Sequence, residues 1–107
     1  MSEMIDRAKI EDGEALAQKV EGLDDWKQED GAIKRALVFD NFSRAIAFIE
    51  ALAPLAEELD HHPEIFNVYD RVELTLTTHD AGGLTEYDFT LAAQIDELWR
   101  EQFDVAR

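Results

Sequence analysis

The chain has 107 residues and a formal net charge of −15, from 25 acidic and 10 basic side chains. This length, with a hydrophobic content of 46%, predicts a single folded domain over residues 1–107. The acidity argues against direct nucleic-acid binding and against an anionic membrane surface, and the absence of cysteine excludes disulfides and thiolate chemistry and fits a cytoplasmic location.

The N-terminal part of the chain is predicted to be helical. Residues 1–20 carry charges throughout and contain no long apolar run, so they indicate neither a signal peptide nor a membrane span. Apolar positions recur with helical spacing, which predicts a helix over residues 3–20 that Gly22 ends. These apolar positions are Ile10, Leu16, Ala17 and Val20.

A strand is predicted next, over residues 32–39, because β-forming residues alternate there. Trp26 is expected on a short partner strand, joined through the turn Glu29-Asp30-Gly31. The residues that share one face of the longer strand are Ile33, Arg35, Leu37 and Phe39.

A long helix follows, with Asp40 or Asn41 as its N-cap. We expect it to bend near Glu50, because Pro54 removes a backbone hydrogen bond, and to continue to Leu59 before Pro63 marks its exit. Its predicted core-facing stripe is Phe42, Ala45, Ile46, Ile49, Leu52, Ala53, Ala56 and Leu59.

The remaining pattern is strand, turn and helix. Alternation from 67 to 78 predicts a strand with Val72, Leu74, Leu76 and Thr78 on one face, and residues 80–83 form a turn. Thr85 opens the last helix, with Asp88 at capping-box spacing; its stripe is Leu91, Ala92, Ile95, Leu98 and Trp99. The order of elements predicts an α+β fold, with helices on one face of a small antiparallel sheet.

The chain has three histidines, His61, His62 and His79, which lie close together in an acidic stretch. Taken singly, each has an ordinary interpretation. His61 and His62 suit a helix end, where imidazolium interacts favourably with exposed carbonyls, His79 suits an exposed turn, and Asp88 suits helix capping. A zinc or iron site is disfavoured, because adjacent histidines do not readily converge on one ion and no HExxH motif is present.

Taken together, these side chains suit proton transfer. Imidazole has an ordinary pKa of about 6.5 and can therefore donate or accept a proton near neutral pH. Two imidazoles and a carboxylate around one cleft could serve a dehydration, in which one group protonates a departing hydroxyl and another removes a neighbouring proton.

The ordered set of Glu57, His61-His62-Pro63, Tyr69, His79 and Asp88 resembles the pterin-4a-carbinolamine dehydratase family. The segment PEIFNVYDRVELTLTTHDAGGLTEYD is similar to this family as well, and the resemblance spans roughly residues 22–100. The resemblance implies a four-stranded antiparallel sheet with three helices packed on one face. It also implies a homodimer or a homotetramer.

The resemblance further implies an activity: dehydration of 4a-hydroxytetrahydropterin to quinonoid dihydropterin, which recycles the pterin cofactor of aromatic amino-acid hydroxylases. It assigns catalytic roles to His61, His62, His79 and Asp88. It places the pterin against His61, His62, Pro63, Thr78, His79, Asp80 and Ala81. No metal or organic cofactor is implied. Because relatives also act as dimerisation cofactors of a transcription factor, a non-catalytic interaction module is the alternative.

Overall fold

The computed structural model describes residues 7–104. One antiparallel sheet of four strands, in the order β1-β2-β4-β3, supports three α-helices. In chain order the elements are α1 (Gly13–Glu21), β1 (Lys27–Glu29), β2 (Ala32–Val38), α2 (Phe42–Leu59), β3 (Glu64–Val68), β4 (Arg71–Leu76) and α3 (Glu86–Leu98). A short 3-10 turn, His79–Ala81, precedes α3, and a π-helical turn, Trp99–Phe103, follows it.

The two faces of the sheet differ in chemistry. The face toward the helices buries alternate residues of the two central strands, Ile33, Leu37, Val72, Leu74 and Leu76, in one core cluster. The opposite face carries charged residues such as Lys34 and Arg71, which are exposed. This alternation leaves one apolar face for the helices to cover, and the predicted α+β fold, with a four-stranded antiparallel sheet and three helices on one face, is confirmed.

The β1–β2 hairpin forms where its turn chemistry predicts it. Asp30 and Gly31 have φ angles of 53° and 76°, and two successive left-handed residues match the twist of a tight hairpin. Trp26 is buried immediately before β1 and is not part of the strand, so its predicted place is wrong by one residue.

The N-terminal helix is shorter than predicted. Residues 3–6 lie outside the described residues, and α1 begins only at Gly13, where the Asp12 carboxylate accepts hydrogen bonds from the backbone N–H groups of Glu14 and Ala15. Ile10 instead donates its backbone N–H to the carbonyl of Leu84, at 2.8 Å. A capping side chain and a long-range hydrogen bond therefore override the helical spacing of the apolar residues.

The predicted strand over residues 67–78 is in fact the end of one strand and the whole of the next. Tyr69, with φ 49°, turns the chain between β3 and β4. The Asn67 side chain supports the turn by donating to the carbonyls of Tyr69 and Arg71. This turn contains no glycine. The side-chain amide of Asn67, in β3, stabilises it instead.

Helix α2 is capped by Asn41, whose side chain accepts the Arg44 N–H at 2.8 Å, and it runs through Pro54 to Leu59 as predicted. The bend at Glu50 stays a prediction. The buried stripe differs from the predicted one, because Phe48 lies in the core while Phe42 is half exposed. The buried residues of α2 are Ala45, Phe48, Leu52 and Ala56.

Within residues 7–104, no helix combines the length and apolar character that crossing a bilayer requires.

Candidate functional site

Asp88 is the centre of the candidate site. Thr85 caps α3 and forms the predicted capping box with Asp88. The Asp88 side chain is fully buried, and its Oδ2 accepts the Thr85 backbone N–H at 2.9 Å and the Thr78 hydroxyl at 2.8 Å. A buried carboxylate needs such partners to offset the loss of hydration. Asp88 therefore both caps α3 and binds the hydroxyl of Thr78.

His61 supplies the partner for the other oxygen of Asp88. Asp60 adopts the left-handed conformation at the end of α2, and the His61 backbone N–H then donates to the Ala56 carbonyl at 3.0 Å. This exit turns the imidazole inward, and its Nε2 lies 2.6 Å from Asp88 Oδ1. The His61 side chain is only 11% exposed.

The His61–Asp88 contact determines which ring nitrogen is free. An ionised carboxylate only accepts hydrogen bonds, so Nε2 carries the hydrogen and donates it to Asp88. Among the described residues no hydrogen-bond partner faces His61 Nδ1, so this nitrogen is available to a ligand. A carboxylate that accepts a hydrogen bond from an imidazole fixes the tautomer and the orientation of the ring.

The two other histidines are more exposed. His62 is 53% exposed, and its Nε2 lies 3.6 Å from Glu57 at the end of α2. His79 is 80% exposed, and its Nε2 lies 3.7 Å from Glu64, the first residue of β3. Loose, solvated contacts of this kind contribute little to stability, which leaves both side chains free to meet a ligand.

The structure brings most of the predicted site residues into one region. Asp88 joins the segment of His61 to that of Thr78, and Glu64 joins the same segment to His79. Pro63 is partly buried between His62 and Glu64. Asp80 and Ala81 continue from His79 in the 3-10 turn.

The region is not a single closed pocket. A shallow cavity of about 370 Å³ lies on the His79 side, where Glu64, Thr77, Gly82 and Gly83 are among its lining residues. His61, His62 and Asp88 are not part of this lining. His79 therefore lines this cavity, whereas the His61–Asp88 pair lies outside it.

Sequence reasoning missed Tyr87 as a residue of the site. Tyr87, in the first turn of α3, places its ring centroid 5.7 Å from that of His61. The hydroxyl of Thr78, for which substrate binding stays a prediction, donates to Asp88. The one sequence signal for the contact between Tyr87 and His61 is that Tyr87 directly precedes Asp88. Among residues 7–104, no cluster of three or more His, Asp or Glu side chains is arranged to hold a metal ion.

Comparison with known proteins agrees with the family resemblance that the sequence predicts. The family model described as pterin 4 alpha carbinolamine dehydratase matches residues 9–98. A Sinorhizobium fredii protein named "Putative pterin-4-alpha-carbinolamine dehydratase" is 51% identical over 88 residues, which cover 80% of this chain and 84% of that protein.

Two solved structures are also similar. A transcriptional coactivator/pterin dehydratase from Brucella melitensis superposes with a TM-score of 0.80 at 38% identity, covering 84% of this chain and 97% of that one. A pterin dehydratase-like protein described as a RuBisCO assembly factor in the alpha-carboxysome gives a TM-score of 0.56 at 28% identity, covering 68% and 84%. With nearly the whole fold and the His61–Asp88 region inside the matched range, the chain belongs to the pterin 4 alpha carbinolamine dehydratase family.

Proposed function

We propose that this protein dehydrates 4a-hydroxytetrahydropterin to quinonoid dihydropterin, as a cytoplasmic enzyme built from one domain that assembles into a homodimer or homotetramer. The observation that carries the proposal is the 2.6 Å contact between His61 Nε2 and the buried Asp88 carboxylate, with Nδ1 left free. Family membership supplies the substrate class.

The reaction needs two proton transfers and no net redox change. The C4a–O bond breaks as the hydroxyl accepts a proton and leaves as water, and the N–H proton of the adjacent ring nitrogen passes to a base as the C=N bond forms. We assign the base to His61, because the Asp88 carboxylate stabilises the imidazolium that forms. His79, exposed and 3.7 Å from the Glu64 carboxylate, is assigned as the acid.

The other predicted residues receive supporting roles in this proposal. His62 and Pro63 would position the pterin ring from the segment after α2. Asp80 and Ala81 would do so from the 3-10 turn, together with Thr78, which directly precedes it. The backbone of that turn is fixed by hydrogen bonds to the Thr78 carbonyl from the N–H groups of Ala81 and Gly82, both at 3.0 Å. A rigid turn supports positioning because misplacement of about 1 Å can cost about a hundredfold in rate.

Replacing His79 by glutamine tests the proposal with little risk to the fold. We expect the dehydration rate to fall about a hundredfold or more, since a general acid contributes roughly 10²–10⁴-fold. The free energy of unfolding should change by less than about 0.5 kcal/mol, because the side chain is 80% exposed. The measurement is the loss of synthetic 4a-hydroxytetrahydropterin, followed spectroscopically beside a urea denaturation curve.

The control is Arg44→Gln, at the opposite end of α2, which should leave the rate unchanged. A wild-type protein that does no better than buffer would contradict the proposed activity. A His79→Gln variant with the wild-type rate would remove His79 from the mechanism.

Contact with another protein is the second candidate function. It is favoured by exposed apolar side chains, with Phe66, Val68 and Tyr69 each more than half exposed, and by the similar chains described as a coactivator and as an assembly factor. Rescue of a gene-deletion phenotype separates the two functions. Equal rescue by wild type and by His79→Gln favours protein contact, whereas rescue by wild type alone favours dehydration.

A further inference from the structure

Tyr87 contacts the imidazole that Asp88 holds. It is partly buried in the first turn of α3, and its ring centroid lies 5.7 Å from that of His61 at an interplanar angle of 41°. Asp88, the next residue, contacts the same imidazole at Nε2. A hydrogen bond fixes one ring atom, and a packed neighbouring ring restricts the tilt of the imidazole plane. Two successive residues of α3 therefore define the position and the plane of His61.

The N-terminal segment, residues 7–10, lies along the start of α3, and we call it the N-terminal strap. Ile10 donates its backbone N–H to the Leu84 carbonyl at 2.8 Å. The Lys9 side chain lies against Gly83, where an added Cβ would come within 3.0 Å of Lys9 Cε. These contacts attach the strap to the loop that leads into Thr85 and Asp88.

Arg7, the first residue of the strap, lies over the ring of Tyr87. The Arg7 guanidinium carbon lies 4.8 Å from the Tyr87 ring centroid. An arginine at this distance is attracted to the face of an aromatic ring, and among the described residues Arg7 forms no ion pair that would compete for it. Tyr87 therefore contacts both Arg7 and His61, although it is not fully buried.

We propose that Tyr87 is a positioning residue for His61, and that Arg7, carried by the N-terminal strap, holds Tyr87 in place. The strap then supports the candidate site from a segment that precedes the first helix. The catalytic consequence rests on the proposed dehydration, but the positioning itself is independent of the substrate.

The test uses the imidazole signals of the protein. Its three histidines give three ring systems in a ¹H–¹⁵N spectrum, and single His→Gln variants assign them. Tyr87→Leu and Arg7→Gln should each shift the His61 ring resonances and speed the solvent exchange of its Nε2–H. Tyr87→Phe keeps the ring and should keep the His61 spectrum. In the dehydration assay, Tyr87→Leu should lower kcat about tenfold with KM within about twofold of wild type, as expected for a misplaced catalytic group.

Arg44→Gln is the matched control, because Arg44 also lies over an aromatic ring, at 4.4 Å from the Phe103 centroid. It occupies the first turn of α2, which runs from Phe42 to Leu59, so it lies about 22 Å from the end that leads to His61. Its His61 signals should match wild type. Unchanged His61 signals in Tyr87→Leu would overturn the proposal, as would equal changes in Arg44→Gln and Arg7→Gln. If the wild type lacked dehydratase activity, the proposed function would fail, and the imidazole spectrum would still decide whether Tyr87 positions His61.

Discussion

Replacing Asp88 by asparagine should lower the dehydration rate by about 10²–10⁴-fold while leaving the protein folded. Oδ2 of Asp88 accepts from the Thr85 N–H and the Thr78 hydroxyl, so the asparagine carbonyl oxygen should take that place. The asparagine NH₂ would then face His61 Nε2 and donate to it. His61 would be held with its hydrogen on Nδ1, the nitrogen left free for substrate, and a base in the wrong tautomer is inactive. A comparable carboxylate-to-amide change behind a catalytic histidine costs about 10⁴-fold.

The measurement pairs the initial rate with the ¹⁵N chemical shifts of His61, which distinguish the two neutral tautomers. Asp88→Ala is the companion variant. It should destabilise the fold by about 3 kcal/mol, because it removes a helix cap and leaves the Thr85 N–H and the Thr78 hydroxyl buried without an acceptor. An Asp88→Asn protein with the wild-type rate and an unchanged tautomer would contradict the role given to Asp88.

The elements that the sequence predicts well are those whose signals are local. Asp30-Gly31 directs a hairpin, Thr85 and Asp88 form a capping box, and alternation in β4 separates buried from exposed residues. The chain diverges from prediction where a distant partner decides. Ile10 has helical spacing with Ala17, seven residues later, yet its backbone N–H donates to the Leu84 carbonyl.

The candidate site shows the same division. The family spacing predicts His61, His79 and Asp88, and the capping box explains how Asp88 is oriented. The contacts of Tyr87 with Arg7 and His61 join three segments that are far apart in the sequence. No periodic pattern records such contacts. The predicted helix also hid the strap, because it included residues 7–12, which are not helical in the structure.

A second large effect is expected away from the site, at the buried ion pair between Arg35 on β2 and Asp96 on α3. Arg35 lies on the core face of its strand, as its alternation with Ile33 and Leu37 predicted, and its guanidinium Nη1 is 2.6 Å from Asp96 Oδ1. The same oxygen accepts the Trp26 indole N–H at 2.7 Å, and Oδ2 accepts the Asp24 backbone N–H at 3.1 Å. Asp96 therefore joins α3 to β2 and to the loop before β1.

Replacing Asp96 by alanine should lower the free energy of unfolding by about 3–5 kcal/mol, because it leaves a buried cation and a buried indole N–H without an acceptor. That is a large part of the roughly 5–15 kcal/mol that stabilises a typical domain. Urea denaturation followed by tryptophan fluorescence measures the loss. Asp24→Ala is the matched control. Within residues 7–104 its exposed side chain pairs only with Arg100 at the surface, so the change should alter the stability by less than about 1 kcal/mol.

The double variant Arg35→Met with Asp96→Leu should recover most of the stability that Asp96→Ala loses. Arg35 Nε is already buried without a hydrogen-bond partner among the described residues, so the native pair carries part of its desolvation cost uncompensated. Apolar side chains of similar volume avoid that cost, and replacing a buried pair in this way is often neutral or stabilising. A double variant as unstable as Asp96→Ala would show instead that the bonds from Trp26 and Asp24 to Asp96, rather than the charge on Arg35, hold α3 against the sheet.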